Sequence, residues 1–375
     1  SGGLGAIWPS MVNSLMAMKC LGYKDGNPIV EKAIEDIEAL AVHDEDTMFL
    51  QPCVSPVWDT PWAIMALLKS GLPSNHPSLV RAGEWMLEKE VKSFGDWSMK
   101  NHVREPSGWY FQHANEFYPD NDDAAVVMMS LQLLDLPDKD RKSQAILRGF
   151  KWLMGMQCND GGWGSFDKNN NKKILNNIPF ADWNALLDPS TSDLTARVLD
   201  LMGKLGYDLS FSPAKKAVDF LKKEQEKNGS WFGRWGTNYV YGTWSVLTGL
   251  YSIKEDMNKD YVKKSASWLI DFQNEDGGWG ETCKSYWDTS FSAIGRSTAS
   301  QTSWAVLGLL CTEERYSDAV KKGIEYLINT QKEDGTWDED EFTGTGFPKI
   351  FYLRYHMYRS YFPLLALSKF RNMIE

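Results

Sequence analysis

The chain has 375 residues and a formal net charge of −10, which argues against nucleic acid and against a polybasic membrane anchor. Hydrophobic residues make up an ordinary 43%, yet there are 17 tryptophans, as many as phenylalanines. The longest apolar runs fall well short of the roughly 18 residues that span a bilayer, and Cys20, Cys53, Cys158, Cys283 and Cys311 are far apart with no secretory leader, which reads as free thiols in a reducing compartment.

In chain order, helical patterns run from about Met11 to Leu21 and from Ile29 to Val42. A loop then delivers Trp58 and Asp59 to a helix expected to begin near Pro61, a residue suited to a first turn. Next comes the stretch from Trp109 to Ala125. It sets Asp120, Asp122 and Asp123 directly behind Trp109, Tyr110, Phe111, Gln112, Phe117 and Tyr118. Carboxyls this crowded cannot all ionise cheaply, so at least one should have a raised pKa and serve as a proton donor. The plainer reading is a helix N-cap, because a buried helix is expected from Ala124 onward. Capping and acid chemistry can also coexist there.

The second half of the chain is repetitive. Trp152-Leu153, Gln157, Gly161 and Trp163 recur at the same spacing as Phe220-Leu221, Gln225, Gly229 and Trp231. They return as Trp268-Leu269, Gln273, Gly277 and Trp279, and as Tyr326-Leu327, Gln331, Gly335 and Trp337. A looser copy runs through Trp85-Met86, Glu90, Gly95 and Trp97. Each unit reads as a helix end packed by the aromatic-aliphatic pair, a glutamine bridging backbone, a glycine turn and a tryptophan covering the next helix start. Helices are expected between the units, at Thr195 to Leu205, Thr243 to Ile253 and Thr302 to Leu310. No stretch shows sustained strand alternation. The expectation is an all-α toroid with helices in two concentric layers, its tryptophans acting as staples.

The loops between helices are dense in aromatics, around Trp235, Tyr239 and Tyr241, and around Phe347, Phe351, Tyr352, Tyr355 and Tyr358. A third loop, around Phe180, Asp182, Trp183 and Asp188, adds carboxylates and leads to Asp193 and Arg197. Aromatic faces attract cations. A cavity lined by them would stabilise a carbocation without offering a nucleophile.

With these residues in view, the sequence resembles the squalene–hopene cyclase family of class II terpene cyclases over essentially its whole length. The four repeats are similar to that family's QW motifs, and Asp120-Asn121-Asp122-Asp123 to its Asp-x-Asp-Asp acid motif. Residues 55–60, Gly233 to Gly236 and Gly344 to Pro348 add to the likeness. The resemblance implies Asp122 as proton donor, with Asp120 and Asp123 tuning it. It implies Asp193 and, where the family often has histidine, Arg197 as a distal cation hydrogen-bonded to a flanking carboxylate. Spacing of i,i+4 allows Asp193 and Arg197 to share one helical face. Tyr241 matches a tyrosine that holds a water for reprotonation. Trp58, Asp59, Phe111, Gln112, Phe166, Trp235, Phe347, Phe351, Tyr355 and Tyr358 match the substrate- and cation-stabilising set. Phe166 stands where tyrosine is frequent, Ala124 where threonine often follows the acid motif, and Phe180 and Ala181 match a channel constriction.

The implied reaction is protonation of a terminal alkene of squalene and polycyclisation to a hopene-type pentacycle, with no metal or organic cofactor. The implied setting is the cytoplasmic face of a membrane, by peripheral or monotopic contact, possibly as a homodimer. Family members are about twice as long. Residues 1–52 therefore resemble the end of a second, missing α/α barrel with its linker, and residues 53–375 the acid-bearing barrel. The competing expectation is a truncated, non-catalytic α/α scaffold that keeps the motifs. A zinc prenyltransferase-like toroid ranks low because the five histidines do not cluster with cysteines. Metal-dependent diphosphate ionisation is disfavoured because Ala124-Ala125-Val126 follows the aspartates.

Overall fold

A computed structural model describes residues 7–43, 46–178 and 186–374. Two short helices, α1 (Trp8–Cys20) and α2 (Pro28–Glu38), pack on each other ahead of the main body. Six helices then form an inner ring: α3 (Pro56–Ser70), α5 (Asn121–Leu133), α7 (Ser192–Lys204), α9 (Tyr239–Ser252), α11 (Ala299–Leu309) and α13 (Tyr358–Ile374). Each contacts the next, and α13 contacts α3, so the ring closes. Between them in sequence lie the outer helices α4 (Pro77–Glu88), α6 (Lys139–Gly155), α8 (Ser212–Glu224), α10 (Asp260–Asp271) and α12 (Asp318–Asn329). This is the α/α toroid.

The two layers differ as their surroundings require. Every residue of α11 is buried, polar ones included, as expected of a helix covered on all sides. In α12 only Ala319, Val320, Gly323, Ile324 and Leu327 are buried, one stripe of an amphipathic helix.

The repeats are the seams between the layers. In each, the tryptophan indole N–H donates to the carbonyl of the leucine ten residues earlier: Trp163 to Leu153, Trp231 to Leu221, Trp279 to Leu269 and Trp337 to Leu327, at 2.7–2.8 Å. The glutamine amide donates to the glycine carbonyl of its own unit. It also bridges to the next outer helix, Gln157 to the Pro213 carbonyl at 3.0 Å, Gln225 to Tyr261 at 2.8 Å and Gln273 to Ala319 at 2.8 Å. The glycines have positive φ, and a Cβ at Gly161 would meet the Lys216 carbonyl oxygen at 2.5 Å. Backbone N–H groups of Trp163, Trp231 and Trp279 donate to Thr195, Thr243 and Thr302 on the following inner helices.

The looser first unit is built differently from the sequence expectation. Trp109, not Trp97, does the tryptophan's work, since its indole donates to the Met86 carbonyl at 2.7 Å. Gly108, at φ +105°, is the turn residue. The longer stretch between Glu90 and Trp109 hid this alignment. Glu90 replaces the glutamine bridge with an ion pair, accepting from Arg148 of α6 at 2.7 and 2.9 Å.

Other expectations also need correction. Helix α3 starts at Pro56, so Pro61 lies inside it. Helix α2 stops at Glu38, because Ala41 to His43 (β1) pairs antiparallel with Met48 to Leu50 (β2). A second hairpin joins Gly344–Phe347 (β3) and Phe351–Leu353 (β4), with Lys349 at φ +76° in its turn. Strands this short leave little alternation to detect.

The ring is closed by contacts between chain-distant residues. The Trp58 indole donates to the Tyr358 oxygen at 2.9 Å, and the Tyr361 hydroxyl donates to Asp59 at 3.0 Å. Asp59 also accepts from Ser55 at 2.6 Å.

The first unit can be tested by stability. Trp109→Phe should cost about 1–2 kcal/mol more than Trp97→Phe in chemical unfolding, because only Trp109 loses an indole hydrogen bond. The buried Trp97 indole N–H has no protein partner among the described residues. Equal losses would return the repeat role to Trp97.

Candidate active site

The acid cluster sits at the start of α5. Asp120 is the N-cap, its Oδ1 accepting from the N–H groups of Asp122 at 2.6 Å and Asp123 at 3.2 Å. The capping expectation therefore holds for Asp120 alone, and it leaves the carboxyls of Asp122 and Asp123 uncommitted to the cap. All three are buried. A helix N-terminus favours carboxylates, but burial opposes their charge more strongly.

Burial lifts the Asp122 pKa, Arg197 pulls it down and Asp193 adds to the rise, leaving it at about 7. Asp120 and Asp123 are pushed well above the usual carboxylate range by burial and then by the charge of neighbouring aspartates. Asp123 Oδ1 has no protein hydrogen-bond partner among the described residues. Near neutrality, this cluster therefore holds protons that an exposed aspartate would have lost.

Arg197 stands behind the acid. Its Nε donates to Asp122 Oδ1 at 3.3 Å, and one terminal nitrogen donates to Tyr241 at 3.1 Å and Ser245 at 3.3 Å. The guanidinium carbon lies 4.9 Å from the ring centroids of both Trp62 and Trp244. One expectation changes here. The cation contacts Asp122 itself rather than a flanking carboxylate. Tyr241 is fully buried, and its hydroxyl accepts from Arg197. Asp193 shares α7 with Arg197 but accepts from the Trp235 backbone N–H at 3.0 Å.

In front of the acid is a cavity of about 300 Å³. Asp120, Asp122 and Asp123 open onto it. Its wall includes Trp58, Phe111, Gln112, Phe166, Trp235, Phe347, Phe351, Tyr355 and Tyr358, nine of the ten residues expected to contact substrate. The tenth, Asp59, lies instead in the α3–α13 seam, where it lines a neighbouring pocket of about 680 Å³. The two spaces share Cys53, Phe351, Leu353 and Tyr355. Phe180 and Ala181 lie outside the described residues.

The rings form two groups. Tyr355 stacks on Tyr358 at 4.4 Å with Phe111 edge-on to it at 6.3 Å, and Phe166 meets Trp235 edge-on at 6.4 Å. Burial raises the pKa values of Tyr355 and Tyr358 well above the usual phenol range, so both stay neutral. The β3–β4 hairpin carries Phe347 and Phe351 to the cavity.

Several site residues escaped the sequence reading. Trp62 and Trp244 are three and four positions from Asp59 and Val240, inside apolar runs that look like ordinary core. Asp188 accepts three backbone N–H groups, from Ser165, Phe166 and Asp167, and so fixes the Phe166 loop. The sequence places Asp188 only among the carboxylates of its loop, because the backbone it fixes lies 21 to 23 residues earlier.

The site combines a buried carboxyl with a pKa raised to about 7, aromatic walls and a buried guanidinium behind the acid. The family model for the squalene-hopene cyclase C-terminal domain matches residues 54–372, and that for the N-terminal domain matches residues 1–46. The squalene–hopene cyclase of Zymomonas mobilis is 45% identical over 99% of this chain and 58% of its own length. That of Alicyclobacillus acidocaldarius is 44% identical over 100% of the chain and 59% of its own length. A dammaradiene synthase from Dryopteris crassirhizoma is 42% identical over 98% of the chain and 57% of its own length. The chain thus spans somewhat under three-fifths of these relatives. Among solved structures, the type II terpene cyclase MstE from Scytonema aligns over 98% of this chain and 100% of its own, with a TM-score of 0.57 at 14% identity, a likeness of fold. The protein belongs to the squalene-hopene cyclase family.

Proposed function

We propose that this protein is a class II triterpene cyclase that protonates a terminal alkene of squalene. The observation that carries the proposal is Asp122, a carboxyl with a pKa of about 7 that opens onto an aromatic cavity while Arg197 holds its other side. Transfer of the Asp122 proton to the terminal alkene carbon leaves a tertiary cation in the substrate and a carboxylate on the enzyme. Arg197 is already in hydrogen-bond contact with that carboxylate, so the charge that develops is met without reorganisation. Successive alkenes attack the cation and close rings, while the faces of Phe111, Phe166, Trp235, Phe347, Phe351, Tyr355 and Tyr358 attract the migrating charge. Loss of a proton to water ends the sequence. No step calls on a metal or an organic cofactor.

Asp120 and Asp123 act as tuners, and Asp193 and Tyr241 as supports for the acid's surroundings. We infer a hopene-type pentacycle as product, in keeping with the two squalene–hopene cyclases above. Residues 1–52 are assigned to the end of a second α/α barrel and its linker, and residues 53–375 to the acid-bearing barrel. The substrate dissolves in lipid, so peripheral or monotopic contact with the cytoplasmic face of a membrane, possibly as a homodimer, belongs to the same proposal. Among the described residues, no helix is long and apolar enough to cross a membrane.

The test is incubation of the intact native polypeptide with squalene, followed by analysis of the lipid extract. A pentacyclic product is expected, and Asp122→Asn should lower its rate by about 10²–10⁴-fold, the usual weight of a general acid. Equal product from wild type and Asp122→Asn would remove Asp122 from the donor role. No product from the native polypeptide would instead favour a scaffold.

The pH dependence follows from the same group. The neutral carboxyl is the donor, so activity should be high below about pH 7 and fall as pH rises through it. Arg197 lowers the Asp122 pKa, so Arg197→Gln should move this falling limb to higher pH. The maximum rate should drop, because the acid is weaker. A limb that stays in place in Arg197→Gln would show that the guanidinium does not set the acid's strength.

A further inference from the structure

Two of the four repeats share a feature beyond the tryptophan itself. The residue two places after it is a glutamate that reaches back to the start of the preceding inner helix, whereas after Trp231 that place is Gly233. After Trp279 this is Glu281, which accepts from the backbone N–H groups of Asn238 at 3.3 Å and Val240 at 3.0 Å, at the start of α9. After Trp337 it is Glu339, which accepts from the Ser300 N–H and hydroxyl at 2.8 Å each, at the start of α11. In these units a loop carboxylate caps a helix in trans.

After Trp163 the same place is occupied by Ser165, which faces the start of α5. Here the helix supplies its own capping carboxylate, Asp120. The Asn121 N–H is taken by the Ser165 backbone carbonyl at 2.8 Å. A loop carboxylate at this point would add a like charge beside Asp120, Asp122 and Asp123. The serine makes a different contact, in which its hydroxyl accepts the Trp235 indole N–H at 2.8 Å.

Ser165 is well suited to hold that ring still. It is 1% exposed. Its own N–H donates to Asp188 at 3.0 Å, so its backbone is bound at both the donor and the acceptor. The Trp235 main chain is bound as well, its N–H to Asp193 at 3.0 Å and its carbonyl to the Thr345 N–H at 3.1 Å. With the backbone fixed, the remaining freedom of Trp235 is rotation of its side chain, and the contact with Ser165 opposes that rotation.

We propose that Ser165 is a positioning residue that locks the Trp235 indole as a rigid wall of the acid cavity, and so governs how many rings close before the cation is quenched. The inference rests on the cyclase reading above. Ser165 contributes to the shape of the space the cation moves through, not to proton transfer. Without its acceptor the indole can turn, the wall loosens, and early deprotonation yields products with fewer rings.

The test uses the intact native polypeptide and its Ser165→Ala, Ser165→Thr and Trp235→Phe variants. In Ser165→Ala the ratio of partially to fully cyclised products from squalene should rise roughly five-fold, the weight of one hydrogen bond. The pH limb should stay in place. Ser165→Thr, which keeps the hydroxyl, should restore the ratio. Adding Ser165→Ala to Trp235→Phe should change nothing further. In parallel, the Trp235 indole ¹⁵N–¹H resonance, assigned by its loss in Trp235→Phe, should move upfield and exchange faster with solvent in Ser165→Ala. A wild-type product ratio in Ser165→Ala, or an unmoved indole resonance, overturns the proposal. If wild type forms no product from squalene, the cyclase reading fails and the ring-count role falls with it. The indole resonance then still decides whether Ser165 holds Trp235.

Discussion

The site depends on one buried contact, Arg197 Nε to Asp122 Oδ1, at the N-terminus of an inner helix. Two effects of opposite sign meet there. Removal from water favours the neutral carboxyl, and the guanidinium favours the charged one. Neither alone makes a useful acid. Burial without the cation would give a carboxyl that holds its proton too tightly to protonate an alkene. The cation without burial would give a carboxylate already ionised at neutral pH. Arginine keeps its charge at any working pH, so the balance is not disturbed by titration of the partner.

That contact exists because the toroid brings α5 and α7 side by side and buries both. A lone guanidinium in such a place would be costly. Here Trp62 and Trp244 lie near it at equal distance, and Tyr241 and Ser245 accept from one of its terminal nitrogens. These partners come from α3 and α9, so two further inner helices hold the cation besides α7, which carries it, and α5, which carries the acid. The repeats supply the required precision. Three tie an outer helix to the next through one glutamine, and the first unit does so through Glu90 and Arg148.

Much of this was legible in the sequence. The glutamine, glycine and tryptophan spacing is legible because it encodes hydrogen bonds between residues four and ten apart, and such local bonds repeat wherever the spacing repeats. The acid cluster was legible because three aspartates in four positions have few electrostatic solutions. The Trp109 assignment was not, since a longer stretch separates it from Glu90. The place of Asp59 was not, since its partner Tyr361 is 302 positions away and only ring closure brings them together. The Arg197 partner was misjudged for a related reason. Spacing put Asp193 and Arg197 on one helix, but which carboxylate the guanidinium meets is decided by the packing of α7 against α5. The β3–β4 hairpin was missed because each strand spans only three or four residues.

The most direct measurement is an infrared titration of the protonated-carboxyl stretch, comparing wild type with Asp122→Asn. A band absent from Asp122→Asn should disappear from the wild-type spectrum as pH rises through about 7. A difference band that titrates near the ordinary aspartate value of about 3.9 would contradict this, because Asp122 would then be an unperturbed carboxylate with no proton to give at neutral pH.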